Sequence, residues 1–201
     1  VHLGGDEAGN PPLNCWTHCE KCDSLRRKLG ITATDGSENW RLQKHLFDRV
    51  IDTLRTRHGK TPMFWYETDF REIPEGCVTF AWRHGLTAAA IRAAQENGRK
   101  IMLCPGEHCY LDYPAAPGDM PEVNWGMPVT SLEQTYRLDP AWGFGEDFEK
   151  HNLMGVAGTL WSECISSLER LYYKAYPRAM ALAEAGWSIP ANRSWESFRE
   201  R

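Results

Sequence analysis

The chain has 201 residues, of which 42% are hydrophobic and 25% charged, enough for one sizeable core of ordinary globular composition. Its net charge is -4 with no basic stripe, which argues against a nucleic-acid partner. No apolar run reaches membrane-spanning length and no signal-type leader opens the chain; the pattern begins inside a strand, so an upstream segment is expected.

The first element is Val1-His2-Leu3-Gly4-Gly5-Asp6-Glu7. Val1 and Leu3 read as buried residues of a strand. Gly4 and Gly5 permit a sharp turn or a close approach. Asp6 and Glu7 then stand at the strand's C-terminal end, on opposite sides of the backbone, where two carboxylates can have two pKa values. Read alone, the same four residues also describe a solvated acidic turn. A breaker-rich loop follows to Leu13, then Cys15, Cys19 and Cys22 at C-x3-C-x2-C spacing. That spacing suits an iron–sulfur cluster or zinc. Lys21 stands where radical-SAM proteins carry an aromatic, and no glycine-rich segment follows, so a loop with one disulfide or free thiols is the better reading. Seven cysteines cannot all pair internally, and Cys77 and Cys104 read as small buried hydrophobes.

Residues 20–29 read as a short helix stopped by Gly30. Ser37 is a plausible cap for a long amphipathic helix carrying Leu42, Leu46, Phe47, Val50, Ile51 and Leu54 on one face, ending at His58-Gly59. Strands are expected near 1–4, 61–66, 77–82, 100–104 and 153–161. An alanine-rich helix spans Leu86 to Asn97, closed by Gly98. A Pro- and Gly-rich loop covers about 105–129, and Ser131 to Tyr136 is a helical turn. Ser166 or Ser167 caps a closing helix to Ala185, stopped by Gly186, before a polar tail. Strands alternating with helices imply parallel pairing with crossover connections. No dinucleotide fingerprint or P-loop is present.

The strand ends share a composition. They carry Asp6-Glu7, Trp65 with Glu67, Trp82-Arg83, Tyr110-Leu111-Asp112 and Trp161-Ser162-Glu163. In parallel α/β folds these ends converge on one face. The chain has nine Trp residues, and their faces stack well on sugar rings, so three of them beside charged groups favour a sugar pocket.

At these residues the chain resembles glycoside hydrolase family 20, the β-N-acetylhexosaminidases. His2-Leu3-Gly4-Gly5-Asp6-Glu7 is similar to that family's H-x-G-G-D-E signature. Phe64-Trp65-Tyr66-Glu67, Ala81-Trp82-Arg83, Tyr110-Leu111-Asp112 and Leu160-Trp161-Ser162-Glu163 resemble its later motifs in the same order. Ala181 to Ser188 resembles its closing helix, and Trp16 with Cys19 and Cys22 a loop of some bacterial members.

The resemblance implies a (β/α)8 TIM-type barrel, of which this α/β chain supplies about strands 4 to 8. Residues 1–188 would be a partial catalytic barrel and 189–201 a C-terminal tail. It implies exo hydrolysis of terminal N-acetylhexosamines with retention, the substrate's acetamide acting as nucleophile. In that scheme Glu7 is the general acid, which requires a raised pKa. Asp6 orients the acetamide and stabilises the oxazolinium charge, and Tyr110 bonds the acetamide oxygen. Trp65, Trp82 and Trp161 wall the acetamide pocket, Asp112 and Glu163 take hydroxyls near O6 and O4, and Trp125 is a further sugar contact. No metal or cofactor is expected, and the partner is a carbohydrate, not nucleic acid or membrane. The earlier strands, with an Arg for O3/O4 and a His/Asp pair, would come from an upstream segment or another copy. The alternative is a hexosamine-binding remnant or inactive fragment. The resemblance also implies a periplasmic, secreted or lysosomal setting.

Overall fold

The computed structural model describes residues 1–8, 16–32, 37–66, 74–119, 123, 125–141 and 152–201, so Cys15 and Glu67 lie outside the described residues. The chain divides into two compact units, Val1–Phe80 and Ala81–Arg201.

The first unit is built on α1 (Glu20–Lys28), α2 (Ser37–His58), β1 (Met63–Trp65) and the start of β2 (Val78–Ala81). α1 ends as expected: Gly30 has φ +65°, and the Gly30 and Ile31 amides bond back to the Arg27 and Arg26 carbonyls. β1 and β2 run parallel, with Met63 opposite Val78 and Trp65 opposite Phe80. Val1 to Gly4 lies beside β1, also in parallel. The Leu3 amide donates to Met63 O (2.7 Å) and the Trp65 amide to Gly4 O (3.0 Å), although only His2 forms a formal bridge.

Phe47, Ile51, Phe64 and Cys77 form this unit's core, with Leu3 and Trp40 packed against it. Two expectations are corrected here. Leu46 is 56% exposed, because the buried stripe of α2 follows Phe47 and Ile51 and leaves the adjacent residue outside. Val1 is 53% exposed rather than buried: its carbonyl pairs with the Met63 amide at 2.9 Å, but the core closes over Leu3 and does not reach its side chain.

The second unit holds α3 (Thr87–Glu96), β3 (Lys100–Leu103), α4 (Gly106–Cys109), α5 (Leu132–Tyr136), β4 (Leu153–Val156), α6 (Leu168–Ala175), α7 (Arg178–Trp187) and α8 (Trp195–Glu200). β3 and β4 are parallel, with an irregularity between Ile101 and Met102. The Cys104 amide donates to Ala81 O and the Gly106 amide to Trp82 O, so the end of β3 lies beside the end of β2. Ser131 caps α5 by accepting from the Gln134 amide.

The expected closing helix is two helices. Ser167 caps α6 as anticipated, but the ladder stops at Pro177, which has no N–H to continue it. Gly186 lies inside α7 and is not its stop; a Cβ there would meet Val156 Cγ2 at 2.8 Å, so close helix–strand packing accounts for the glycine. The loop expected over 105–129 contains α4. The expected polar tail carries α8, whose Trp195 and Phe198 rings pack on Tyr136 at 5.5 and 4.8 Å. β4 ends at Val156, short of the expected 161, and pairing resumes only at Thr159.

Candidate active site

The first unit presents Asp6 and Glu7 on a turn fixed by its neighbours. Gly4 and Gly5 take φ +74° and +98°. Gly5 lies so close to α2 that a Cβ would meet Phe47 Cζ at 2.8 Å, and Gln43 Nε2 donates to Gly5 O at 2.8 Å. Two residues one helical turn apart on α2 therefore hold the turn's backbone. From the other side, the Gly4 amide donates to His2 Nδ1 at 3.1 Å. The His2 ring packs on Trp65 at 4.8 Å and edge-on to Phe80 at 4.7 Å. Burial holds the His2 pKa below its ordinary value, with Asp6 acting the opposite way. A neutral His2 keeps Nδ1 free to accept from Gly4.

Glu7 has φ +52°, the one non-glycine in the left-handed region among the described residues. That conformation costs about 1–2 kcal/mol and persists where surrounding contacts impose it.

The second unit assembles an aromatic group of its own. The Tyr110 segment leaves α4 and pairs with the continuation of β4: the Leu111 amide donates to Thr159 O and the Thr159 amide to Cys109 O. This register brings Tyr110 to Trp161, with ring centroids 6.2 Å apart, and Tyr110 stacks at 6.3 Å with Trp82. Arg83 lies over the Trp82 ring at 4.5 Å. Tyr113 joins the group, 5.0 Å from Tyr110 and 5.4 Å from Trp125, which is itself 59% exposed. Burial, aided by Cys104, Tyr113 and Asp112, pushes the Tyr110 phenol well above its usual pKa against a hydrogen bond with Trp161. Tyr110 therefore remains an O–H donor.

Asp112 is 1% exposed, and among the described residues its Oδ1 has no hydrogen-bond partner. Burial pushes its pKa up to about 6; the backbone amides of Asp112 and Trp161 pull it down, Glu163 pushes it up, and Lys174 lowers it. Glu163 is exposed on the one-turn helix Ser162–Cys164.

The raised pKa of Asp112 has a consequence for stability. Its folded value exceeds the unfolded one, so its contribution is complete below about pH 4 and lost as pH rises through about 6, a change of roughly 3 kcal/mol. Asp112→Asn is expected to flatten the pH dependence of unfolding free energy across that window. Denaturant titrations at pH 4 and 7 check this; equal pH dependence in parent and variant would refute it.

The structure thus groups Trp82, Tyr110, Trp161, Asp112, Glu163 and Trp125 in one unit, and Asp6, Glu7 and Trp65 in the other. Sequence reasoning did not single out His2, Gln43, Phe47 or Tyr113 as supports. His2 lies inside the first motif and Tyr113 adjoins Tyr110-Leu111-Asp112, so both could have been found there. Phe47 carried only a helical-spacing signal, and Gln43 carried none. Among the described residues no cluster of three metal-ligating side chains occurs, and no helix is long and apolar enough to cross a membrane.

Comparison with known proteins gives the same answer by sequence and by structure. Residues 1–190 match the model of glycosyl hydrolase family 20, catalytic domain. The chain is 39% identical over its whole length to a β-hexosaminidase of Akkermansia muciniphila, covering 38% of that protein. It is 32% identical to a β-hexosaminidase of Vibrio furnissii over 95% of this chain, covering 30% of that relative. A β-N-acetylhexosaminidase crystal structure superposes with TM-score 0.82 at 37% identity, covering 100% of this chain and 40% of the other. An exo-β-N-acetylglucosaminidase of Vibrio harveyi, solved with N-acetylglucosamine, superposes with TM-score 0.76 at 29% identity, over 99% of this chain and 30% of that one. The chain therefore spans well under half the length of these relatives. It is a parallel α/β segment, and it belongs to the catalytic domain of glycosyl hydrolase family 20.

Proposed function

We propose that the protein is an exo-β-N-acetylhexosaminidase that hydrolyses terminal N-acetylhexosamines with retention, using the substrate's acetamide as nucleophile. The observation that carries this reading is the group formed by Trp82, Tyr110 and Trp161, with the buried carboxylate of Asp112 beside it. Aromatic faces suit the C–H surface of a sugar, and a phenol that keeps its proton suits a carbonyl-type acceptor.

In this mechanism Glu7 protonates the departing glycosidic oxygen while the acetamide oxygen attacks the anomeric carbon. The oxazolinium that forms is stabilised by Asp6, which accepts from the acetamide N–H, while Tyr110 donates to the acetamide oxygen. Glu7, now ionised, takes a proton from water, and that water opens the intermediate from the face the aglycone left. Trp65, Trp82 and Trp161 wall the acetamide, Asp112 and Glu163 hold hydroxyls near O6 and O4, and Trp125 adds a sugar contact.

We also infer that this chain supplies about strands 4 to 8 of a (β/α)8 barrel, within residues 1–188. The support is an apolar face along β4 and α7, where Met154 is 48% exposed, Leu160 36% and Trp187 90%. Such a face calls for further strand–helix units to cover it.

Glycosides with mono-, di- and trifluoroacetamido groups test the mechanism. Each fluorine weakens the acetamide oxygen as a nucleophile, so kcat is expected to fall stepwise along the series. A flat response would exclude acetamide participation.

A further inference from the structure

Arg178 opens α7 and is only 2% exposed, yet among the described residues no carboxylate lies within ion-pairing distance of it. Its hydrogen bonds all go to backbone carbonyls. Nη1 donates to Tyr113 O at 3.2 Å and Thr130 O at 2.8 Å; Nη2 donates to Leu111 O and to Lys174 O, the latter at 2.9 Å. Leu111 and Tyr113 are the two neighbours of Asp112. One guanidinium therefore grips the backbone on both sides of the residue whose carboxylate is buried, with Oδ1 unpartnered among the described residues.

A second buried cation braces the same stretch. Lys174 Nζ donates to Tyr113 O at 3.1 Å and to Asp119 Oδ2 at 3.0 Å. Asp119 also accepts from the Ala115 amide at 2.9 Å and from Arg170 Nη2 at 2.7 Å. Burying a cation without a direct counter-ion is costly, and an apolar side chain would fill the same space more cheaply. What an apolar residue cannot do is span two carbonyls with a planar fork.

We propose that Arg178, braced by Lys174 and Asp119, is a positioning residue for sugar-hydroxyl recognition: it fixes the Leu111–Tyr113 backbone so that the Asp112 carboxylate is presented to one hydroxyl at one place. The proposal rests on the reading of Asp112 as a sugar contact and extends it to residues that never touch the sugar.

The test uses the full-length protein and three substrates: an aryl β-N-acetylglucosaminide and its 4-deoxy and 6-deoxy analogues. The readout is the ratio of kcat/KM for the parent sugar to that for each deoxy sugar. Asp112→Ala is expected to reduce one of these ratios about tenfold or more, the loss of a hydrogen bond to a charged group. Arg178→Lys, which keeps the charge but not the fork, is expected to reduce the same ratio several-fold, chiefly through KM, and to add nothing in the Asp112→Ala background.

An Arg178→Lys protein that loses activity equally on all three sugars would overturn the proposal, because a merely structural role lowers every rate alike. Asp112→Ala leaving both ratios unchanged would instead remove the reading of Asp112 on which the proposal stands. If Arg178→Lys does not fold, Lys174→Met tests the brace: it removes the bonds to Tyr113 O and Asp119 Oδ2 while leaving the Arg178 fork, and is expected to reduce the same ratio to a smaller extent, whereas an equal loss on all three sugars would overturn the proposal.

Discussion

Glu7→Gln is expected to reduce turnover of substrates with poor leaving groups by roughly 10²- to 10⁴-fold, the usual contribution of a general acid, while sugar affinity persists. The amide has the shape of the acid but no proton to give. The contacts from Gln43, Phe47 and His2 that hold the turn go to Gly4 and Gly5 and do not involve the carboxylate. The effect should shrink as the aglycone becomes a better leaving group, since an activated phenolate departs without protonation. Comparing methyl, nitrophenyl and dinitrophenyl glycosides separates this from general damage. A rate loss independent of leaving group, or no loss at all, would remove Glu7 from the acid role.

Asp6→Asn is expected to slow formation of the oxazolinium by about 10²- to 10³-fold, the scale of losing one preorganised electrostatic contact to the transition state. Its signature differs from that of Glu7. The charge stabilised by Asp6 develops on the sugar side of the breaking bond, so a better leaving group does not rescue the variant. Rapid-mixing measurement of first-turnover aglycone release checks this on an activated substrate. Release at the parent rate would show that Asp6 does not act on the intermediate.

Much of the scaffold follows from local patterns that act over a few residues. The period of Leu42, Phe47 and Ile51 marks the buried side of α2, and Gly30 marks the end of α1, because both depend on backbone geometry nearby. Leu46 misled for the reason that periodicity does not say which of two adjacent apolar residues faces the core. Pro177 stood in the sequence as a breaker, but the apolar pattern on either side of it reads as one helix.

In the candidate site, the residues proposed to carry chemistry were visible because each stands at a strand end with a distinctive neighbour. Their supports were not. Gln43 reaches Gly5 across 38 residues, and Arg178 reaches Leu111 across 67. Contacts at that separation leave no local signature, and a buried arginine looks in sequence like any solvated one.

The apolar face along β4 and α7 bears on the remaining inference, that further barrel strands complete this one. Met154, Leu160 and Trp187 would be shielded in a completed barrel.

The most direct test of the central claim is hydrolysis of a chromogenic aryl β-N-acetylglucosaminide by the protein, with and without a thiazoline analogue of the oxazolinium. Release of the aglycone, blocked competitively by the thiazoline, is the predicted result. Binding of the thiazoline without any release of aglycone, in a folded protein carrying both Asp6 and Glu7, would contradict the account and leave a site that recognises the sugar without cleaving it.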